Sequence, residues 1–142
     1  MPSDRVLKTM NAAHRALLRV TRGRIGYAAG DMPVVELTTI GRRSGEPRTV
    51  LLTAPVVEGD RYIVVASRGG DDRHPAWFLN LRAEPAVRVS VQGGPTRPMR
   101  AEVVGADERP ELWARIAGRH RNYAGYQKRT EREIPLVRLS PV

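Results

Sequence analysis

Apolar residues recur along this chain with two different periods, and the change from one to the other divides it. Over residues 4–20, Val6, Met10, Ala13, Leu17 and Val20 fall at helical spacing, with Arg5, Lys8, Arg15 and Arg19 largely on the other side. That is the pattern of an amphipathic helix. Ser3 suits its N-cap, and the residues from Arg22 to Gly26 close it. From Pro33 the period shortens to two. Residues 34–40, 49–57 and 62–66 read as extended runs, the first ending at Gly41 and the last two separated by Glu58-Gly59-Asp60. Val87, Val89 and Val91 alternate with Arg88, Ser90 and Gln92, as in a strand with one buried face. Gly93-Gly94-Pro95 turns the chain into residues 98–104, with Met99, Ala101 and Val103 on one side, and residues 136–139 form a last short strand.

Helical spacing returns at three places. Pro75 opens a short helix through Trp77, Leu79 and Leu81, since proline suits a first turn. Asp107 is the expected cap of another, with Pro110, Leu112, Trp113, Ile116 and Ala117 on its apolar face. Tyr123 and Tyr126 then share a helical face. The expected architecture is mainly β (α+β): about six antiparallel strands, with an N-terminal amphipathic helix and peripheral helices. Closure of the sheet into a barrel would remove its exposed edges. At 142 residues one domain is expected over 1–142, with the helix and its connection in 1–30 and the barrel in 33–142.

Composition narrows the chemistry. Cysteine is absent, and His14, His74 and His120 show no metal-ligand spacing, so no metal site is expected. No tract of eighteen apolar residues and no leader-like segment is present, which points to the cytoplasm. The basic helix at 4–20 adds a peripheral contact with the inner face of the membrane. The formal charge is +9, and of 24 basic residues only Lys8 and Lys128 are lysines. Arginine carries a planar fork of donors suited to phosphate and carboxylate. An arginine bias also follows from base composition, so position matters more than number. Nucleic acid would be one anionic partner, but the aromatics are few and the arginines gather at strand ends, which argues against it.

Three segments concentrate chemistry. Gly41-Arg42-Arg43-Ser44-Gly45-Glu46-Pro47-Arg48 joins two strands, and its glycines let backbone amides approach an anion that three arginines would hold. Ala66-Ser67-Arg68-Gly69-Gly70 follows the third strand and can again cradle phosphate. It leads into Pro75, Ala76, Trp77, Phe78 and Asn80. An aromatic of that stretch is either core or a platform for a planar ring, and Asn80 either bonds backbone or reaches a ligand. The third is His120 to Gln127, where Tyr123 and Tyr126 can wall a flat substrate or merely pack the helix.

In order and spacing these segments resemble the deazaflavin (F420)-dependent nitroreductase family, actinobacterial F420-dependent oxidoreductases with a split β-barrel of the flavin-reductase/FMN-binding type. The likeness runs from Leu37 to Pro141, and Leu37-Thr38-Thr39-Ile40-Gly41-Arg42-Arg43-Ser44-Gly45 with Pro47-Arg48 is its most specific part. It implies that Arg42, Arg43, Ser44 and Arg48 hold the phosphate and acidic tail of coenzyme F420. Val65, Ala66, Ser67, Arg68, Gly69 and Gly70 would lie along phosphate and ring, and Pro75, Ala76, Trp77 and Asn80 would complete that pocket. Tyr123, Tyr126 and Ser67 would orient the acceptor or donate a proton. The implied activity is hydride transfer from the reduced coenzyme to a quinone, nitroaromatic or other activated acceptor, as a monomer or homodimer. FMN in the same barrel, and a coenzyme carrier without catalysis, are the alternatives. Two positions depart from nitroimidazole-activating relatives: His120 stands where such an enzyme carries a tyrosine, and Thr53 is small and polar rather than aromatic. Both lie on the acceptor side.

Overall fold

The computed structural model describes residues 28–29 and 32–142. The helix expected over 4–20, and the membrane contact read from it, lie outside the described residues. Among these residues eight strands follow one another: β1 (Ala28–Ala29), β2 (Met32–Ile40), β3 (Pro47–Thr53), β4 (Val56–Glu58), β5 (Arg61–Val65), β6 (Ala86–Val91), β7 (Arg97–Val103) and β8 (Leu136–Pro141). Among the described residues three helices join them: α1 (Ala76–Ala83), α2 (Arg109–Arg119) and α3 (Arg121–Lys128). A 3-10 turn covers Arg68–Gly70. No helix among the described residues is long and apolar enough to cross a membrane.

Every strand pair is antiparallel. The sheet order is β1-β2-β6-β7-β8-β5-β4, with β3 pairing β2 in a hairpin from Val34 opposite Thr53 to Ile40 opposite Pro47. The outer strands β3 and β4 are consecutive in sequence and joined through Ala54 and Pro55, so the sheet curls back on itself as a split barrel. Alternation fills its interior: Val35, Leu37, Val64, Val87, Val89, Met99, Ala101, Val137 and Leu139 form one buried cluster, completed by Trp77, Phe78 and Leu81 of α1. Each valine, leucine, methionine and phenylalanine among them contributes about 1.5–3 kcal/mol by leaving water. The opposite face of β5 and β8 is buried as well. Ile63, Val65 and Leu136 pack under Leu112 and Ile116 of α2 and Tyr123 of α3.

The strand count exceeds the six expected because the run 49–57 is two strands. Pro55 interrupts it: proline has no N–H for a ladder, and the amide of Ala54 turns to the carbonyl of Pro33 at 3.0 Å. The two-residue β1 supplies the other. Val103 does not share the buried side of Met99 and Ala101. It is 41% exposed, and the apolar role passes to Val104, buried under α2. Asp107 does not cap α2, which starts two residues later behind Glu108 with Pro110 in its first turn. Glu108 makes no side-chain cap either, because Arg138 takes its carboxylate, with an Nη1–Oε1 distance of 3.0 Å.

Candidate functional site

Strand β3 separates two hollows. The first, with a volume of about 550 Å³, is walled by the β2–β3 loop, by Pro47 to Val50 of β3, and by Ala76, Trp77 and Asn80 of α1. The loop is shaped by its own backbone: the Gly41 amide donates to Glu46 O at 2.8 Å, and the Gly45 amide to Gly41 O at 2.8 Å with φ +73° at Gly45. A Cβ at Gly41 would stand 2.6 Å from Ser44 Oγ, so only glycine lets the serine hydroxyl tuck in there. The guanidiniums of Arg42, Arg43 and Arg48 stay exposed. Arg48 is 3.9 Å from the exposed Glu46 carboxylate and 3.5 Å from Ser44 Oγ. So loose a pair contributes little and leaves the forks available.

Asn80 fastens this loop to the barrel. It is 4% exposed and donates to Thr39 Oγ1 at 3.2 Å. Its Oδ1 accepts from the Arg42 amide at 3.1 Å and from Arg42 Nη1 at 3.4 Å. Of the two roles open to it in the sequence, the structure shows the backbone tie. Its polarity inside an apolar helix face thereby sets where the arginines stand.

The second hollow, about 490 Å³, lies beyond β3 and is lined by Leu51 to Thr53, Val65, Ser67, Asn122, Tyr123 and Tyr126, with Val34 beneath. Tyr123 is buried, and its hydroxyl meets Thr53 Oγ1 at 2.9 Å and Met32 Sδ at 3.8 Å. Burial pushes its pKa up, outweighing the hydrogen bond with Thr53, so the phenol stays protonated. Tyr126 stands edge-on to Tyr123, ring centroids 6.0 Å apart, and His120 is edge-on to Tyr123 at 6.2 Å. An exposed Asn122 completes the rim. The cavity thus offers aromatic walls with hydroxyl and amide groups around them, a surface for a flat molecule bearing oxygens.

Ser67 reaches that hollow from a strained turn. Arg68, Gly69 and Gly70 all have positive φ, at 47°, 64° and 83°. At Gly70 a Cβ would lie 2.7 Å from Tyr126 O and 3.0 Å from Tyr126 Cα, so glycine is needed for the turn to press against α3. The Arg68 side chain points away from both hollows into a buried pair with Asp71, 2.9 Å apart. The Asp71 carboxyl is held below its usual range by the Arg73 amide first, then by the charges of Arg68 and Arg73, against an opposing effect of burial.

Of the residues singled out in the sequence, Arg42, Arg43, Ser44, Arg48, Ala76, Trp77 and Asn80 meet in the first hollow. Val65, Ser67, Tyr123 and Tyr126 meet in the second. Ala66, Arg68, Gly69, Gly70 and Pro75 line neither. The sequence does not single out Val34, Leu51, Leu52 and Asn122 of the second hollow or Thr49 and Val50 of the first, nor Arg132, which organises the turn. Asn122 was discoverable from its place beside Tyr123. Nothing local marks Arg132, which acts across more than fifty residues of chain.

Residues 10–141 match the family model described as F420H(2)-dependent quinone reductase. An F420H(2)-dependent quinone reductase of Mycobacterium tuberculosis is 39% identical over 135 residues, 89% of this chain and 87% of the relative. A solved F420-H2-dependent reductase superposes with a TM-score of 0.66 at 38% identity, covering 76% of this chain and 94% of that one. A second solved structure, described as a domain-swapped dimer, gives a TM-score of 0.68 at 33% identity over 93% of this chain and 99% of its own.

Proposed function

The chain belongs to the F420H(2)-dependent quinone reductase family, and on that premise we propose how its two hollows divide the work. The first holds the anionic part of coenzyme F420 and the second receives the ring and a quinone-class acceptor. The observation that carries this reading is the shared wall. Strand β3 borders an arginine-rich hollow with Pro47 to Val50 and a tyrosine-lined one with Leu51 to Thr53. One ligand with an acidic tail and a planar head fits across it.

The residues suit such a ligand. Arg42, Arg43 and Arg48 present forked donors without tight carboxylate partners among the described residues. The cradle at Gly41 admits Ser44. Each charged contact would contribute roughly 1.5–3 kcal/mol. When bound, the reduced deazaflavin supplies the hydride. The protein's part is to orient and to exclude water. Ser67 and Tyr126 border the space where an acceptor oxygen would sit, and Tyr123, kept protonated, holds Thr53 in place. Ser67 or Tyr126 would donate a hydrogen bond as charge builds on that oxygen.

Titration of the purified protein with oxidised coenzyme F420, followed by fluorescence, should give saturable micromolar binding. Stopped-flow mixing of the complex of protein and reduced coenzyme with menadione should then show oxidation of the coenzyme. Absence of binding overturns the proposal. Binding with persistent silence across quinone acceptors would assign a carrier instead, and a yellow protein with an FMN spectrum would assign the other cofactor.

A further inference from the structure

Arg132 follows α3 in an irregular segment, half-buried, and belongs to neither apolar cluster. An arginine has five N–H groups, and here each nitrogen is engaged. Nε donates to Asp71 O at 2.8 Å. Nη1 reaches Ala66 O at 3.3 Å and His74 Nδ1 at 3.1 Å. Nη2 reaches Ala66 O at 3.3 Å and Ser67 O at 2.8 Å. All four acceptors lie in the one segment, 66–74, that carries Ser67 to the second hollow.

The main chain of Arg132 is tied the other way. Gln127 of α3 donates to Arg132 O at 2.7 Å and accepts from the Ile134 amide at 3.0 Å. Gln127 follows Tyr126 directly. Two further contacts run beside this brace: Arg129 Nη1 reaches Gly69 O at 3.4 Å, and Gly70 abuts the Tyr126 backbone.

We propose that Arg132 is a positioning residue of the second hollow, its guanidinium setting the separation between Ser67 and the tyrosine wall of α3 through the Ala66, Ser67 and Asp71 carbonyls and His74. The activity part of this proposal rests on the function stated above; the structural part does not. A lysine cannot replace the fan, because a compact ammonium offers three donors without the planar fork. His74 makes the brace sensitive to protonation. Arginine only donates, so Nδ1 must be the unprotonated acceptor, and an imidazolium would lose that bond. The charged groups around His74 are Arg132, Arg82 of α1, and Asp71, Asp72 and Arg73 immediately before it in the chain. Its ring packs on Phe78, centroids 4.8 Å apart, and the Arg82 guanidinium lies 5.1 Å from the Phe78 ring.

The test begins without coenzyme. Amide resonances of wild type, Arg132→Lys and His74→Gln are followed through a pH titration. In the wild type the Ser67 and Gly70 amides should move in step with His74, below pH 6.5, its ordinary pKa. That step should vanish in His74→Gln, whose amide oxygen accepts from Arg132 at every pH. In Arg132→Lys the same amides should be displaced throughout, while those of Val35 and Val89 in the interior cluster stay in place. With reduced coenzyme and menadione, Arg132→Lys should lower kcat about tenfold to a hundredfold, the scale of a misplaced reacting pair. The apparent coenzyme affinity should change by less than about threefold, since the arginines of the other hollow are untouched. His74→Gln should shift the acid limb of the kcat profile to lower pH. Unmoved Ser67 and Gly70 amides in Arg132→Lys, or an unchanged acid limb in His74→Gln, would overturn the proposal. Failure of the wild type to bind coenzyme would instead strike the functional reading and leave the resonance result standing.

Discussion

The loop at residues 41–48 and the turn at residues 66–71 are built from the same residue types, arginine, glycine and one serine, and the fold uses them in opposite ways. In the loop the glycines close a hairpin and the guanidiniums of Arg42, Arg43 and Arg48 remain exposed around a hollow. In the turn Arg68 is buried against Asp71, Gly70 presses on the Tyr126 backbone, and a distant arginine, Arg132, binds the carbonyls. The loop's cations are exposed to an anion from solution, while Arg68 and Arg132 at the turn are engaged by the protein itself. Residue type alone therefore says little about an arginine's task. The number of its donors that other parts of the chain have satisfied says much more.

Substitutions should separate the two regions, and the largest effect is expected in the turn. Gly70→Ala combines φ +83° with a 2.7 Å approach to Tyr126 O, so stability should fall by about 3 kcal/mol. Gly69→Ala, with φ +64° in open space, should cost only about 1 kcal/mol. Equal urea midpoints for the two variants would show that contact with α3 is not what Gly70 provides.

In the loop the loss should appear in binding and not in folding. Arg43→Ala and Arg48→Ala should each weaken F420 binding about tenfold to a hundredfold, from the charged contacts removed. Their unfolding free energies should stay within about 0.5 kcal/mol of wild type. A thermal shift with unaltered affinity would reverse the contrast between the regions.

Asn80→Ala is placed to blur that contrast, because Asn80 ties the loop to the barrel. Removing it strips Thr39 and the Arg42 amide of a partner, with an expected cost of about 1–2 kcal/mol. The coenzyme titration should also weaken, by roughly threefold as a flexible loop reorders on binding. Wild-type affinity in this variant would mean that the loop holds its shape unaided.

The smallest effect is a pH dependence confined to the turn. The pKa of His74 is lowered from 6.5, by burial first and then by Arg132 and Arg82. The unfolded chain therefore takes up this proton more readily than the folded one. The stability linked to His74 is present above pH 6.5 and is lost progressively as the pH falls below it. Asp71, lowered from 3.8, contributes its own loss only in more acidic solution. Calorimetry between about pH 7 and pH 4.5, a window that runs from above the ordinary imidazole pKa to well below it, should show a decline that His74→Gln lacks. Coincident curves for the two proteins would remove His74 from the brace.

Much of this organisation is legible along the chain. The period-two valines of β6 and the helical spacing of Trp77 and Leu81 are local consequences of side-chain direction, and the structure reproduces them as the interior cluster. Gly41, Gly45 and three arginines mark the loop because backbone freedom and charge are properties of the residues themselves. Val103 and Asp107 were less legible. Whether Val103 faces inward depends on how the chain leaves β7, where Val104 and not Val103 packs with Leu112 and Ile116 of α2, and whether Asp107 caps depends on where that helix starts.

The sequence by itself determined the antiparallel, mainly β architecture, the arginine- and glycine-rich character of the loop and the family to which the chain belongs. Periodicity, glycine and charge act over a few residues, and the ordered segments survive as a recognisable pattern. Tertiary structure decided which arginines stay available, how Asn80 and Tyr123 spend their polar atoms, and how Ser67 is held facing Tyr126. Those outcomes depend on partners 65 positions away for Ser67 and Arg132, and 70 for Thr53 and Tyr123. Contacts at that separation form only when the barrel brings its strand ends and the segment after α3 together.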